Sequence, residues 1–363
     1  LAEQGAFREP WLRRIFDKVP RHLFVPETIY TWSEEKWRPL HKSDDPWRWA
    51  RLIYDPGGAG VVTQVDDGDT DDEGCGLVPT SSISSVGAVL DMLLSLDPEP
   101  DHSVLEIGTG TGYNAALLCE RVGELNVVTM EVDEGVAVEA RRRLHDAGYH
   151  PEVVIGDGLR GFGIREPYSR IISTASVRKV PLAWLDQTVV HGELVVPWLP
   201  NDRGLGLMWL RRKDQDTARG WFHGTETFMA VRGHRSERPD LAGLWHKTRT
   251  SSREVDRTIN MDDVDASGCF VLAAVLPGVS CYRQDDGWFL VSMDRASWCR
   301  VTDGGAITAY GDGDLPGRLS SALEWWRGQG RPKYHEFGVI VTRSGSDTDQ
   351  VMWLGEDTES PIP

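Results

Sequence analysis

The stretch VLEIGTGTGYNAAL, residues 104–117, constrains this chain more than any other. An apolar run carrying one acid, Glu106, meets three glycines at alternate positions, Gly108, Gly110 and Gly112, and then a helix-forming segment. Glycines there permit positive φ and a close approach of backbone to ligand. Strand, tight turn and helix in that order is how open parallel sheets take nucleotide-like molecules. Which molecule depends on spacing. A dinucleotide turn has G-x-G-x-x-G, one residue looser than the spacing here, and a phosphate loop closes on Gly-Lys-Ser/Thr, whereas Tyr113 follows Gly112.

The flanking pattern defines the fold class. A helix is expected over 9–18. Apolar positions 86, 89, 90, 93 and 94 predict a helix over 84–96, with serines at its start to cap it. Strands at 103–107, 126–132, 152–155, 170–174 and 193–197 alternate with helices at 113–122, 134–147 and 181–187. That alternation means an α/β, Rossmann-like, doubly wound and mostly parallel sheet. LGLMWLRR (205–212) and TFMAVRG (227–233) read as antiparallel end strands joined by a polar loop. Polar HRSERPD (234–240) sets a boundary, giving a first domain over 1–238 and a smaller α+β domain over 239–363. The second carries strand-like runs at 269–276, 287–293 and 337–343 and a helix at 318–327. Residues 28–79 read as an irregular insertion, and its acidic run DDGDTDDEGCG (66–76) as a flexible, solvated loop whose acids do not fit a calcium loop. The tail GEDTESPIP is expected to fray.

Three acids fall near the ends of three successive strands: Glu106, Glu131 in VVTMEVD, and Asp157 in IGDG. A carboxylate at Glu131 can accept from two ribose hydroxyls, and one at Asp157 from an adenine amino group. A nucleoside bound without phosphate fits this set, and S-adenosylmethionine is the cofactor expected. With 39 basic and 56 acidic side chains the net charge is −17, which opposes binding to a nucleic-acid backbone and suits a small molecule, protein or peptide partner. No apolar run is long enough to span a membrane. Five cysteines without a C-x-x-C pair predict neither a metal site nor a disulfide framework, and with no export signal apparent the expected location is cytoplasmic. Fifteen tryptophans, including Trp37, Trp47, Trp49, Trp325 and Trp326, suit either a peptide groove or core filling, and core filling is the simpler expectation.

The stretches VPRHLFVPE (19–27), VLEIGTGTGYNAALL (104–118), EARRRLHDAGY (139–149), VVIGDGLRG (153–161) and PLAWLDQTVVHGELVVP (181–197) resemble, in order, the protein L-isoaspartate O-methyltransferases. The resemblance covers roughly residues 1–235 and implies a class I methyltransferase sheet. It implies that Glu106, Gly108, Thr109, Gly110 and Gly112 line the methionine end of S-adenosylmethionine, and that Glu131 and Val132 flank the ribose. Gly156, Asp157 and Gly158 would border the adenine, with Thr174 also at the cofactor site and S-adenosylhomocysteine the product. The family's T-I-S-x-P-H-like segment, which lines the carboxylate pocket, falls on PTSSISS (79–85). Thr80 and Ser82 keep the hydroxyls and are the catalytic residues implied, whereas Ser84 and Ser85 stand where the family has Pro and His. Pro167-Tyr168-Ser169 replaces the family's Pro-Tyr-Asp. The insertion and the 240–363 domain are expected to lie outside the repair enzymes' pattern. These departures resemble a branch associated with ribosomally made modified peptides, lanthipeptide- or graspetide-type. That implies a cyclised peptide partner whose aspartate is esterified on the way to aspartimide, with isoaspartyl repair as the alternative and a non-catalytic binding protein as a third reading. A carboxylate nucleophile is already ionised at neutral pH, so no general base is required. STASV (173–177), where base and amide N-methyltransferases carry an Asn/Asp-Pro-Pro-Tyr-like segment, argues against N-methylation.

Overall fold

A computed structural model describes residues 9–55, 57–202, 205–224, 227–236, 239–355 and 362. The chain begins with α1 (Pro10–Lys18), started by Pro10 and burying Trp11, Leu12 and Ile15 on one face. The 28–79 segment expected to be irregular is folded. It contains β1 (Thr28–Ser33), β2 (Lys36–His41), α2 (Pro46–Tyr54) and β3 (Val61–Val65), and with β4 (Pro79–Ile83) it forms an antiparallel sheet in the order β2-β1-β3-β4. The β1–β2 hairpin turns on Glu34 and Glu35 at φ 52° and 62°, a left-handed pair without the Asn-Gly signal that announces such turns.

The acidic run is exposed to solvent, as expected, but it is folded by local hydrogen bonds rather than flexible. Asp66 accepts from the backbone N–H groups of Leu77 (2.6 Å) and Val78 (2.8 Å), and Asp71 from those of Cys75 (2.8 Å) and Glu73 (3.1 Å). Trp37 and Gly76 exchange two backbone hydrogen bonds. The carboxylates serve as local turn acceptors, which composition alone does not reveal.

Next come α3 (Val86–Leu96), β5 (Val104–Ile107), α4 (Tyr113–Val122), β6 (Val127–Glu131), α5 (Glu134–Asp146), β7 (Glu152–Ile155), β8 (Tyr168–Ser173), α6 (Leu182–Gln187) and β9 (Thr188–Pro197). As expected, a serine caps α3: Ser85 Oγ accepts from Ala88 N at 3.1 Å. Then follow β10 (Leu207–Arg212) and β11 (Thr217–Gly224). The second end strand is therefore TARGWFHG, not TFMAVRG. The latter has no ladder and ends in a one-turn 3-10 helix, Arg232–His234. Alternate residues of β11 (Ala218, Gly220, Phe222) are buried, a period-2 signal hidden by small residues and a glycine.

The C-terminal part holds α7 (Leu241–Thr248), β12 (Arg253–Thr258), α8 (Ala266–Val275), β13 (Val279–Gln284), β14 (Gly287–Ser292), β15 (Trp298–Thr302), β16 (Ala306–Tyr310), α9 (Leu315–Gly328), β17 (Phe337–Ser344) and β18 (Asp347–Leu354). CFVLAAVL, expected as a strand, is helix α8, capped by Asp265, whose carboxylate accepts from Gly268 N at 2.9 Å. A short apolar run buried on several sides has no period that separates the two choices. Strands β12 to β16 form a five-stranded sheet, but β17 and β18 join the central one, whose order is β18-β17-β11-β10-β9-β8-β5-β6-β7. Strands β7, β6, β5, β8 and β9 run parallel, and antiparallel pairing continues through β10, β11, β17 and β18. Up to β11 the sheet is mostly parallel with two antiparallel end strands, as expected, but β17 and β18 add two more, so the sheet runs across the boundary expected near 239. One core spans both sides of that point. Phe270 of α8 lies 4.7 Å from Phe222 and 5.4 Å from Phe337, ring centre to ring centre. Trp49 and Trp326 fill core, as expected, while Trp47 is 86% exposed. The frayed-tail expectation falls mostly outside the described residues. Among the described residues no helix is long and apolar enough to cross a membrane.

Candidate active site

The glycine turn leaves β5 and folds over the end of β6. Gly108 N and Thr109 N both donate to Met130 O, at 2.8 and 3.0 Å. Gly108, Gly110 and Gly112 have φ of 96°, 52° and 90°, the left-handed region that side chains disfavour. Two of them are also crowded. A Cβ on Gly108 would sit 2.6 Å from Thr174 Oγ1, and one on Gly112 would sit 3.1 Å from Leu144 of α5. Gly112 is the N-cap of α4, so that helix starts directly at the turn.

Glu131 ends β6 with a fixed carboxylate. Oε2 accepts from Gly110 N at 3.0 Å, and Oε1 from Val132 N at 2.9 Å and Asp133 N at 3.1 Å. Backbone donors hold the acid beside the turn and leave part of its four-lone-pair capacity for ribose hydroxyls. At the next strand end Gly156 N donates to Glu131 O at 2.9 Å. Asp157 caps a single 3-10 turn, accepting from Leu159 N at 3.0 Å with a half-exposed carboxylate. Gly158 packs where a Cβ would meet Ile107 at 2.5 Å. Glu131, Val132 and the 156–158 turn thus line the same carboxyl-terminal sheet edge as the glycines.

Other residues expected to face the cofactor lie behind the turn. Glu106 is fully buried. Asn114 Nδ2 donates to its Oε1 at 2.7 Å, and Thr129 Oγ1 to its Oε2 at 2.6 Å. Thr109 joins this chain through Thr129, hydroxyl to hydroxyl, at 2.7 Å. Thr174 donates to Gly108 O at 2.6 Å. Glu106 and Thr109 thus brace the loop from beneath with buried side chains, while the partly exposed Thr174 ties the loop to the end of β8. A strand acid reads the same in sequence whether it points at a ligand or under the turn.

Burial, only partly offset by Thr129 and Asn114, pushes the Glu106 carboxyl up to about 7, with the neighbouring Glu131 charge adding to the rise. The folded form therefore holds this proton more tightly than the unfolded chain. The associated stability is complete below the ordinary value of 4.5 and is lost as pH rises from there through about 7. Glu106→Gln is nearly isosteric and never ionises, and Thr129 can turn to accept from its amide. Its stability relative to the parent is expected to rise by about 2–3 kcal/mol between the two ends of that window. Denaturant titrations across the window check this, and a pH-independent difference would contradict it.

The 79–85 segment reaches the turn as strand β4. A Cβ on Gly110 would meet Ser82 O at 3.4 Å. Thr80 and Ser82 share one face of β4 but have different surroundings. The Thr80 hydroxyl donates to Gln64 Oε1 at 2.9 Å and accepts from Asp67 N at 3.0 Å. It is committed to the β3–β4 connection, whereas Ser82 is half-buried beside the turn.

A network that the sequence did not announce surrounds Thr80. Arg232 Nη2 bridges Asp67 Oδ1 (2.8 Å) and Asp133 Oδ2 (2.9 Å), and Arg235 Nη1 takes both Asp67 oxygens at 2.8 and 3.0 Å. Arg235 Nη2 reaches Thr80 O at 3.3 Å. Asp67 belongs to the acidic run and the arginines to the segment after β11, so only the fold pairs them. The network ties the N-terminal sheet to the end of β6 through Asp133, the cap of α5.

Among the described residues no cluster of His, Cys, Asp or Glu could hold a metal. A crowded strand-end glycine cradle, a carboxylate anchored at the second strand end and an acid at the third fit S-adenosylmethionine. When bound, that cofactor supplies a methyl group activated on a sulfonium. The chain's own part is to bind, align and exclude water.

This fold and edge define a class I S-adenosylmethionine-dependent methyltransferase. A family model described as protein-L-isoaspartate(D-aspartate) O-methyltransferase (PCMT) matches residues 74–231. A protein-L-isoaspartate O-methyltransferase of Methanopyrus kandleri is 33% identical over 237 residues, 64% of this chain and 88% of that protein. Protein-L-isoaspartate O-methyltransferase 1 of Archaeoglobus fulgidus is 33% identical over 225 residues, 61% of this chain and 85% of that protein. The chain belongs to the protein-L-isoaspartate O-methyltransferase family and is an S-adenosylmethionine-dependent carboxyl O-methyltransferase. A solved structure named protein-L-isoaspartate O-methyltransferase covers 96% of both chains at 20% identity with a TM-score of 0.53. That likeness of fold extends over the C-terminal third.

Proposed function

We propose that this chain methylates the free side-chain carboxylate of an L-isoaspartyl residue in a peptide or protein. The observation that carries the reading is the agreement over 74–231 with enzymes named for that reaction, a span that includes β4, the glycine turn and all three strand-end acids. In this reading Gly108, Gly110, Gly112, Glu131, Val132 and the 156–158 turn hold the cofactor. The Ser82 hydroxyl steadies one carboxylate oxygen while the other attacks the methyl carbon. One C–O bond forms and one S–C bond breaks, with no proton to remove. Alignment carries most of the task and is worth up to about 7–11 kcal/mol in favourable intramolecular cases. The ester then has a good leaving group. The following backbone nitrogen attacks it, a C–N bond forms, and methoxide departs with the amide proton as methanol, leaving a succinimide.

A second reading is favoured by Ser84 and Ser85, which stand where the family has Pro and His, and by the commitment of Thr80 to Gln64 and Asp67. Here the acceptor is an ordinary aspartate in a ribosomally made, cyclised peptide. Mass spectrometry after incubation with S-adenosylmethionine separates the two. The substrates are an isoaspartyl peptide, its aspartyl twin, and a thioether-cyclised aspartyl peptide. A methyl gain confined to the isoaspartyl peptide is expected. Methyl gain followed by methanol loss on the cyclised aspartyl peptide alone would install the second reading instead.

A further inference from the structure

We propose that Arg21 is a positioning residue for methyl transfer, fixing the Ile83–Ser84 end of β4, and with it Ser82, against the glycine turn. This rests on the reading that Ser82 meets the acceptor carboxylate. Arg21 opens a one-turn 3-10 helix in VPRHLFVPE and is 3% exposed. Its Nε donates to Ile53 O, at the end of α2, at 2.7 Å. Its Nη2 donates to Ser84 O at 2.6 Å and reaches Ile83 O at 3.5 Å. The guanidinium lies 5.2 Å from the ring centre of Tyr113, the first residue of α4 after Gly112. One planar group thus joins four segments far apart in sequence, two of which, β4 and the start of α4, adjoin the glycine turn.

Stability does not explain this residue. Its partners among the described residues are carbonyl oxygens and the Tyr113 hydroxyl, with no carboxylate among them, and Nη1 is buried without a geometric hydrogen-bond acceptor. Burial lowers its pKa to about 10, so it remains a cation at neutral pH. A buried charge without a counter-ion is no better for folding than a well-packed apolar side chain. Only a fork of donors in fixed geometry can hold Ile53 O and Ser84 O together. The charge has a further use. A chain of net charge −17 that receives a carboxylate needs local positive potential, and here an unneutralised cation sits behind the strand that receives it.

The test uses the full-length protein with Arg21→Met and Arg21→Lys. Three quantities are read: S-adenosylhomocysteine affinity by calorimetry, hydrogen exchange of residues 80–85 with that ligand bound, and kcat and KM on whichever peptide the parent methylates. Arg21→Met is expected to keep ligand affinity within about twofold, to speed exchange over 80–85 about tenfold and to lower kcat about 30-fold. Unchanged exchange, or a kcat within about threefold of the parent, overturns the proposal. If Arg21→Met does not bind the ligand, Arg21→Lys decides. It should bind normally and lose about tenfold in kcat, because an ammonium cannot span both carbonyls, and an unchanged kcat overturns the proposal. A parent that methylates none of the peptides sinks the proposed function, while the exchange rates still decide the role of Arg21.

Discussion

Glu131→Ala is expected to weaken S-adenosylhomocysteine binding by about 100- to 1,000-fold, equivalent to about 3–4 kcal/mol. Two contributions combine. The ribose loses charge-assisted hydrogen bonds to a carboxylate, each worth about 1.5–3 kcal/mol. The turn also loses the acceptor that Gly110 N uses at 3.0 Å and that Val132 N and Asp133 N share. Glu131→Gln keeps one oxygen and the shape but replaces the other by a donor facing Gly110 N or the strand end. It should fall between parent and alanine variant. Calorimetry gives the affinities, and the ligand's thermal stabilisation of each variant gives an independent reading by mass action. A loss below about fivefold for the alanine variant would place the ribose elsewhere.

Gly108→Ala carries the second large effect. The new Cβ would require a left-handed backbone, costing about 1–2 kcal/mol. It would also meet Thr174 Oγ1 at 2.6 Å, displacing a hydroxyl that donates to Gly108 O and lies 3.2 Å from Ile107 O. We expect a combined destabilisation of about 2–4 kcal/mol and a loss of cofactor affinity of at least about tenfold. The two terms separate in a double variant. Thr174→Ala removes the obstructing oxygen, so adding it to Gly108→Ala should recover the steric share but not the backbone share. Strict additivity of the two single changes in denaturant unfolding would show that the contact does not matter.

The parallel half of the sheet was readable because its signals agree with one another. Strand-end acids, glycines at 108, 110 and 112 and the 3.6-residue spacing of 84–96 all point to one arrangement. Legibility failed where one residue pattern serves two states. CFVLAAVL is apolar throughout and so has no period, and Asp265, the cap that makes it a helix, lies just upstream. TARGWFHG hid a strand because its inward positions include Ala218 and Gly220. The acidic run is solvated as it reads, but its fixed shape was hidden, because the carboxylates satisfy backbone donors several residues away, a matter of geometry and not of composition. At the site, sequence located the acids but not their direction. Glu106 and Glu131 both sit at strand ends, yet one is sealed beneath the turn and the other faces along the sheet edge. The Asp67–Arg232–Arg235 network joins segments that become neighbours only after folding.

The last two strands pair beside β11, whose other neighbour, β10, comes immediately before it in sequence. During synthesis the sheet therefore waits with an open edge while the whole five-stranded C-terminal sheet is made. Contacts between segments so distant in sequence form slowly, and an unpaired strand carrying Trp221 and Phe222 invites association with other chains in the interval. Termination before β17 is therefore expected to leave a product that keeps the glycine turn and all three strand-end acids and yet partitions into the insoluble fraction, which fractionation of the expressed truncation checks.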